Sequence, residues 1–201
     1  GFQLAEDGWW THPGALLPPV RVTGANRLLL RVDSVSDFAL ANSSRYDLRI
    51  QGQPLDAWRT ATFQQAGPAG SGVEFGVVER HGCHVRAIPQ PLTDAQRLAC
   101  ITVRELLRHR PRRFDSQQQA FASTRQLLLQ AIQLVGRDTA CDLFFAGERC
   151  YWQSRNRAAQ LQYMRQNALG LGWGNQDHHT YRSSRSCFCH LMELLELLGF
   201  Q

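Results

Sequence analysis

The chain has 201 residues, enough for one large domain or two small ones, each with a buried core. Its 43% apolar and 19% charged residues are ordinary for a globular protein, and no apolar run reaches the roughly 20 residues of a membrane span. The net charge of +5 permits polyanion binding without requiring it, and all 22 basic residues are arginine, the side chain suited to planar, bidentate anion contacts.

The N-terminus GFQLAEDGWW lacks a basic region followed by an apolar block, so it does not read as a secretory signal, and a cytoplasmic chain is expected. On that reading Cys83, Cys100, Cys141, Cys150, Cys187 and Cys189 are expected to be mostly reduced, buried thiols. Pro and Gly break regular structure through DGWWTHPGALLPP, where Trp9 and Trp10 are expected to cover an apolar edge. RLLLRV (Arg27–Val32) reads as a strand, and Asp33 is placed to cap a short helix through Asn42. YDLRI (Tyr46–Ile50) alternates as a strand does. QQAGPAGSG (Gln64–Gly72) is a loop, and VEFGVVE (Val73–Glu79) and CHVRAI (Cys83–Ile88) read as a hairpin joined through RHG.

From Pro91 the period lengthens. TDAQ is a capping box on Thr93 and Gln96, opening a helix to about His109 that stops before Pro111. DSQQ repeats the device at Asp115 and Gln118. Phe121, Leu128, Ile132 and Val135 then make one stripe that ends at Gly136. A third helix is expected from near Asp138 to about Leu169, with Cys141, Phe145, Trp152, Ala159 and Tyr163 as its packing seam. GLGWGN closes the helical block; its glycines follow a helix and precede a strand, the wrong order for a dinucleotide site. Asp177–Arg182 reads as a strand, and Ser183 or Ser184 caps a last helix with Cys187, Leu191, Leu194, Leu195 and Leu198 on its apolar face. The expected fold is α+β in three regions: strand-rich 1–90, helical 91–170, and a βα unit over 171–201.

Chemistry concentrates at the adjacent His178 and His179. In a strand they point to opposite faces, His178 with Thr180 and Arg182, His179 with Tyr181. One neutral imidazole is a natural first ligand for zinc, iron, manganese or nickel, and further ligands must come from elsewhere.

The stretch HTYRSSRSCFCHLMELLELLGF resembles the opening βα unit of vicinal oxygen chelate domains, the glyoxalase and extradiol-dioxygenase superfamily. The resemblance rests on the HT pair and on the Leu198-Gly199-Phe200 end of the helix, and it covers about the last twenty-five residues. It implies a metal ligand at His179, or at His178 in a shifted register, with Tyr181 and Arg182 against a small-molecule substrate. It also implies lyase or dioxygenase chemistry. Such a module is βαβββ, so 171–201 is expected to be the start of an incomplete module or to borrow its sheet partners from the N-terminal strands.

HGCH (His81, Cys83, His84) and CFCH (Cys187, Cys189, His190) also hold potential ligands, but neither has zinc-module spacing. There is no G-x-S-x-G elbow, no H-E-x-x-H and no phosphate-cradling G-x-x-x-x-G-K. The rival reading is a non-catalytic, arginine-rich interaction module. Arg108, Arg110, Arg112 and Arg113 would grip a nucleic-acid backbone or a protein partner. Arg149, Arg155, Arg157 and Arg165 would lie beside Tyr151, Trp152 and Tyr163.

Overall fold

In the computed structural model, residues 1–24, 26–54, 59–65, 73–79, 92–172 and 181–201 are described. The fold is α+β: among those residues seven strands form one mixed sheet, accompanied by six α-helices. None of the helices is long and apolar enough to cross a membrane. The chain divides into two units that cut across the three regions read from the sequence. One comprises Gly1–Pro91 with Ala158–Asp177, the other Leu92–Arg157 with His178–Gln201.

In the first unit the strands are β1 (Gln3–Leu4), β2 (Trp10–Thr11), β3 (Val20–Thr23), β4 (Arg27–Val32), β5 (Arg49–Gln51), β6 (Thr60–Gln65) and β7 (Val73–Glu79). Their order is β1-β2-β3-β4-β7-β6-β5, antiparallel throughout except for the parallel β4–β7 pair. β4 and β7 have the bounds expected from sequence. β5 starts later than Tyr46 because the Arg45 and Tyr46 N–H groups donate to Asn42 O, holding that stretch in a turn. The hairpin partner expected at Cys83–Ile88 lies outside the described residues; β6 pairs with β7 antiparallel.

A short helix, α1 (Val35–Ala41), leaves the end of β4. Its N-cap is one residue past the expected Asp33: the Ser34 hydroxyl accepts the Asp37 N–H. Glu79 at the end of β7 accepts the Val35 N–H at 2.9 Å and faces Arg59 at 3.8 Å, so a buried carboxylate is satisfied by a helix start and a guanidinium. Val32, Val35, Phe38, Ala61 and Val77 form the core, with Leu30, Leu48 and Phe75 packed against it. Trp9 is buried between the guanidiniums of Arg21 and Arg31, 4.6 and 4.3 Å from its ring, whereas Trp10 is exposed.

The third helix expected from sequence is two helices, α4 (Arg137–Gln153) and α5 (Arg157–Ala168). The break falls at Ser154–Asn156. The Ser154 hydroxyl donates to Tyr151 O, and the Arg155 and Asn156 N–H groups donate only three residues back. Ser and Asn compete with the helix ladder through such local bonds. α5 then belongs with the sheet. The Tyr163 hydroxyl donates to Asp37 at 2.7 Å, the Asn42 amide to Ala168 O at 3.2 Å, and the Asp33 N–H to Gly170 O at 2.9 Å. Burial first, and then that carboxylate, push the Tyr163 hydroxyl well above the usual tyrosine range.

The second unit holds α2 (Asp94–Arg108), α3 (Gln117–Val135), α4 and α6 (Phe188–Leu197). α3 packs against α2, α4 and α6, and α2 against α4. The Thr93–Gln96 capping box is formed in both directions. The N-cap of α3 is Ser116 rather than Asp115, and Gly136 ends α3 and begins α4 at φ 80°. Its core includes Cys100, Val103, Leu107, Leu128, Ala131 and Leu194. Trp152, expected in the packing seam, is 62% exposed; Ala140, Leu143 and Phe144 are the buried face of α4.

Candidate functional site

α4 presents two chemically different faces. On one lie Asp138, Cys141, Asp142, Phe145 and Arg149; Cys141 and Asp142 are adjacent, and each lies three or four residues from Asp138 and from Phe145, which is four from Arg149, so they share one side of the helix. With Tyr181, Leu195, Leu198 and Phe200 they line an open cavity of about 700 Å³ within the helical unit. Phe145 makes edge contacts with the Tyr181 ring at 5.9 Å and with the Phe200 ring at 5.8 Å. α6 supplies the leucines. After it, Gly199 at φ 97° lets the Gly199 N–H reach Glu196 O and the Phe200 N–H reach Leu195 O. That is the left-handed helix stop expected of a Leu-Gly-aromatic end, and it carries Phe200 to the cavity.

The lining combines Asp138, Cys141, Asp142 and Arg149 with Phe145, Leu195, Leu198 and Phe200. The Cys141 thiol is pushed up first by burial, then by Asp142 and Asp138, so it stays protonated at neutral pH and is a weak nucleophile and metal donor. The Tyr181 hydroxyl is pushed up to about 12, mainly by burial, with Glu148 adding to the effect and Arg149 opposing it. Folded protein therefore keeps a proton that unfolded tyrosine releases near 10.0, so stability falls as pH rises through the window up to about 12. Tyr181→Phe is expected to lessen that alkaline loss and to leave stability at pH 7 little changed, as read by urea midpoints at a series of pH values. A pH dependence identical to that of the unsubstituted chain would contradict it.

The other face of α4 carries Glu148, which is 7% exposed. Its Oε1 accepts from Arg110 Nε and Nη2 at 3.0 and 2.9 Å, and Arg112 Nη1 lies 2.8 Å from Oε1 and 3.0 Å from Oε2. Arg110 Nη1 also donates to the Thr124 hydroxyl at 3.3 Å. Tyr151 is flanked by Arg112 and Arg155, with guanidinium carbons 3.8 and 4.3 Å from its ring centre. Burial and the neighbouring Arg110 lower the Arg112 pKa, against the opposing pull of Glu148.

Of the site residues nominated from sequence, His178 and His179 lie outside the described residues, as do His81, Cys83 and His84. So does most of the strand expected over Asp177–Arg182; Tyr181 and Arg182 themselves are in neither strand nor helix. Tyr181 lines the cavity, whereas Arg182 is exposed and is not among its lining residues. Cys187 is buried, Cys189 is exposed and His190 faces Glu193 at 3.7 Å, so CFCH does not converge on one point. Among the described residues no group of three His, Cys, Asp or Glu is disposed to hold a metal ion. Arg108 and Arg113 are exposed, but Arg110 and Arg112 are drawn inward to Glu148. The missing signal was Glu148, which stands 38 and 36 residues away from them. Comparison with protein-family models, curated proteins and solved structures gave no match.

Proposed function

We propose that the cavity in the helical unit is a small-molecule site and that the chain performs metal-dependent chemistry there, of the vicinal oxygen chelate kind. His179 would hold the metal, with His178 as the alternative ligand. The observation that carries this reading is the placement of Tyr181 in the cavity wall. The sequence reading puts His179 and Tyr181 on one face of the strand expected over Asp177–Arg182. The Leu198-Gly199-Phe200 turn supports the same reading, since it closes α6 and carries Phe200 to the same wall.

A divalent zinc, iron, manganese or nickel ion would supply Lewis-acid polarisation of a substrate carbonyl or oxygen pair. The chain's own residues do the rest. Phe145, Leu195 and Leu198 exclude water from an apolar substrate body. The neutral Tyr181 hydroxyl donates a hydrogen bond, and Arg149 offers a guanidinium to an anionic group.

Metal content of the purified, tag-free chain by mass spectrometry tests the reading. Near-stoichiometric metal that is lost in His179→Ala and retained in His178→Ala is expected, and the reverse pattern would choose His178. Folded protein free of metal after reconstitution with each of the four ions would end it. The interaction-module reading is the weaker one, because Arg110 and Arg112 already satisfy a buried carboxylate and cannot also neutralise phosphates without exposing it.

A further inference from the structure

We infer that the β1–β3 end of the sheet is the interface of a weak symmetric dimer, in which a second copy of this chain lays the same face against it. The argument starts from strand register. Leu4, Trp10, Val20, Leu30, Val77 and Ala61 stand opposite one another on β1, β2, β3, β4, β7 and β6, so one apolar row crosses six strands on one face. α1 packs against β5, β6 and β7 and seals the far end of that row, where Val77 and Ala61 are fully buried. The near end continues the same surface and stays open to solvent. Leu4 is 60% exposed and Trp10 41%, and Val22, the next residue of β3 on that face, is 61% exposed. Phe2, 40% exposed, and His12 extend the face beyond β1 and β2, their rings meeting edge-on at 5.5 Å.

Charge and area identify the occupant. Arg21, Arg27 and Arg31 alternate with Val20, Val22, Leu28 and Leu30, so the strand arginines lie on the opposite face. There Arg21 and Arg31 flank Trp9, and they bond to Gly8 O and to the Asp7 carboxylate. The apolar face of β1–β4 is thus left without an acid or an arginine. Such a face has no charge with which to select a polyanion or a charged foreign partner, whereas it is complementary to its own copy across a two-fold axis. Half exposed on average, Phe2, Leu4, Trp10 and Val22 present roughly 400 Å² of apolar surface. Two copies packed sheet on sheet bury about 800 Å² from these side chains, and about 1,000 Å² with the backbone between them, the lower bound of a specific interface. The dimer is therefore expected to dissociate in the micromolar range.

The test is sedimentation equilibrium of the full chain over about 1–500 μM, at low and at high salt. A monomer–dimer equilibrium is expected, tightening as salt screens the net charge of +5 on each copy. Val22→Arg and Leu4→Arg, each checked for unchanged circular dichroism, should weaken the dimer about tenfold or more, because the two-fold axis brings two like charges into the interface. Leu40→Arg, at a leucine 76% exposed on α1, should leave the equilibrium unchanged. A chain that stays monomeric throughout would overturn the inference and leave the face to a different protein. Open-ended assemblies larger than a dimer would overturn it as well, and so would equal weakening by Leu40→Arg. Association that salt weakens would do the same, since that is the mark of a charged interface.

Discussion

Replacing Glu148 with alanine is expected to destabilise the helical unit by about 3–5 kcal/mol, the cost of leaving buried cations without their counter-charge. Arg110 and Arg112 converge on that one carboxylate with side chains only 14% and 11% exposed, so bulk water does not replace it. Glu148→Gln should fall between alanine and the unsubstituted chain, because it keeps one acceptor oxygen and loses the charge. Replacing all three residues with apolar side chains of similar volume should recover much of the loss, since the desolvation of three ions disappears together. Urea midpoints of the full chain report each case. A Glu148→Ala loss below about 1 kcal/mol would mean that the guanidiniums are hydrated and the ionic core is incidental.

The second large effect is expected at the glycines that seat the end of α5 on the sheet. A Cβ at Gly170 would lie 2.6 Å from Val32 Cγ1, and one at Gly172 would lie 2.1 Å from Asp33 Oδ2. Both residues have positive φ, 78° and 52°, which L side chains adopt at a cost. Gly170→Ala combines backbone strain with overpacking against a fully buried valine, so roughly 2–4 kcal/mol of destabilisation is expected from the two contributions. Gly172→Ala should also push Asp33 aside and weaken the Asp33 N–H bond to Gly170 O. The measurement is thermal unfolding beside hydrogen exchange of the Asp33 amide. Unchanged protection at Asp33 in both variants would contradict the expectation.

These two features show where the sequence was legible and where it was not. Local devices could be read directly: the Thr93 capping box, the RLLLRV and VEFGVVE strands and the glycine stop at Gly199 are each set by residues within one or two turns of one another. Long-range pairings left no such trace. Nothing within Arg27–Val32 announces its parallel partner at β7, whereas the alternation of β6, TATFQQ, at Ala61 and Phe63 was legible and was passed over. The α4–α5 break was missed because the apolar stripe continues in phase through Ser154, where local side-chain bonds interrupt the ladder. At the site, Cys141 and Phe145 were recognised as sharing a face and read as a packing seam. The carboxylates of Asp138 and Asp142 mark the same face as open, and only the positions of Tyr181 and Phe200 make it a cavity. The arginine cluster looked like an external basic patch because its counter-charge is one acid on a distant helix.

Under the proposed function, a metal held by His179 would serve the cavity beside Tyr181. The most direct test of that claim is paramagnetic broadening by manganese in NMR spectra of the full chain. We expect one equivalent of manganese to broaden the Phe145, Tyr181 and Leu195 side-chain signals selectively, and His179→Ala to abolish the effect while the protein stays folded. Manganese that leaves those signals sharp, or broadens them equally in the His178→Ala, His179→Ala double variant, would contradict the claim.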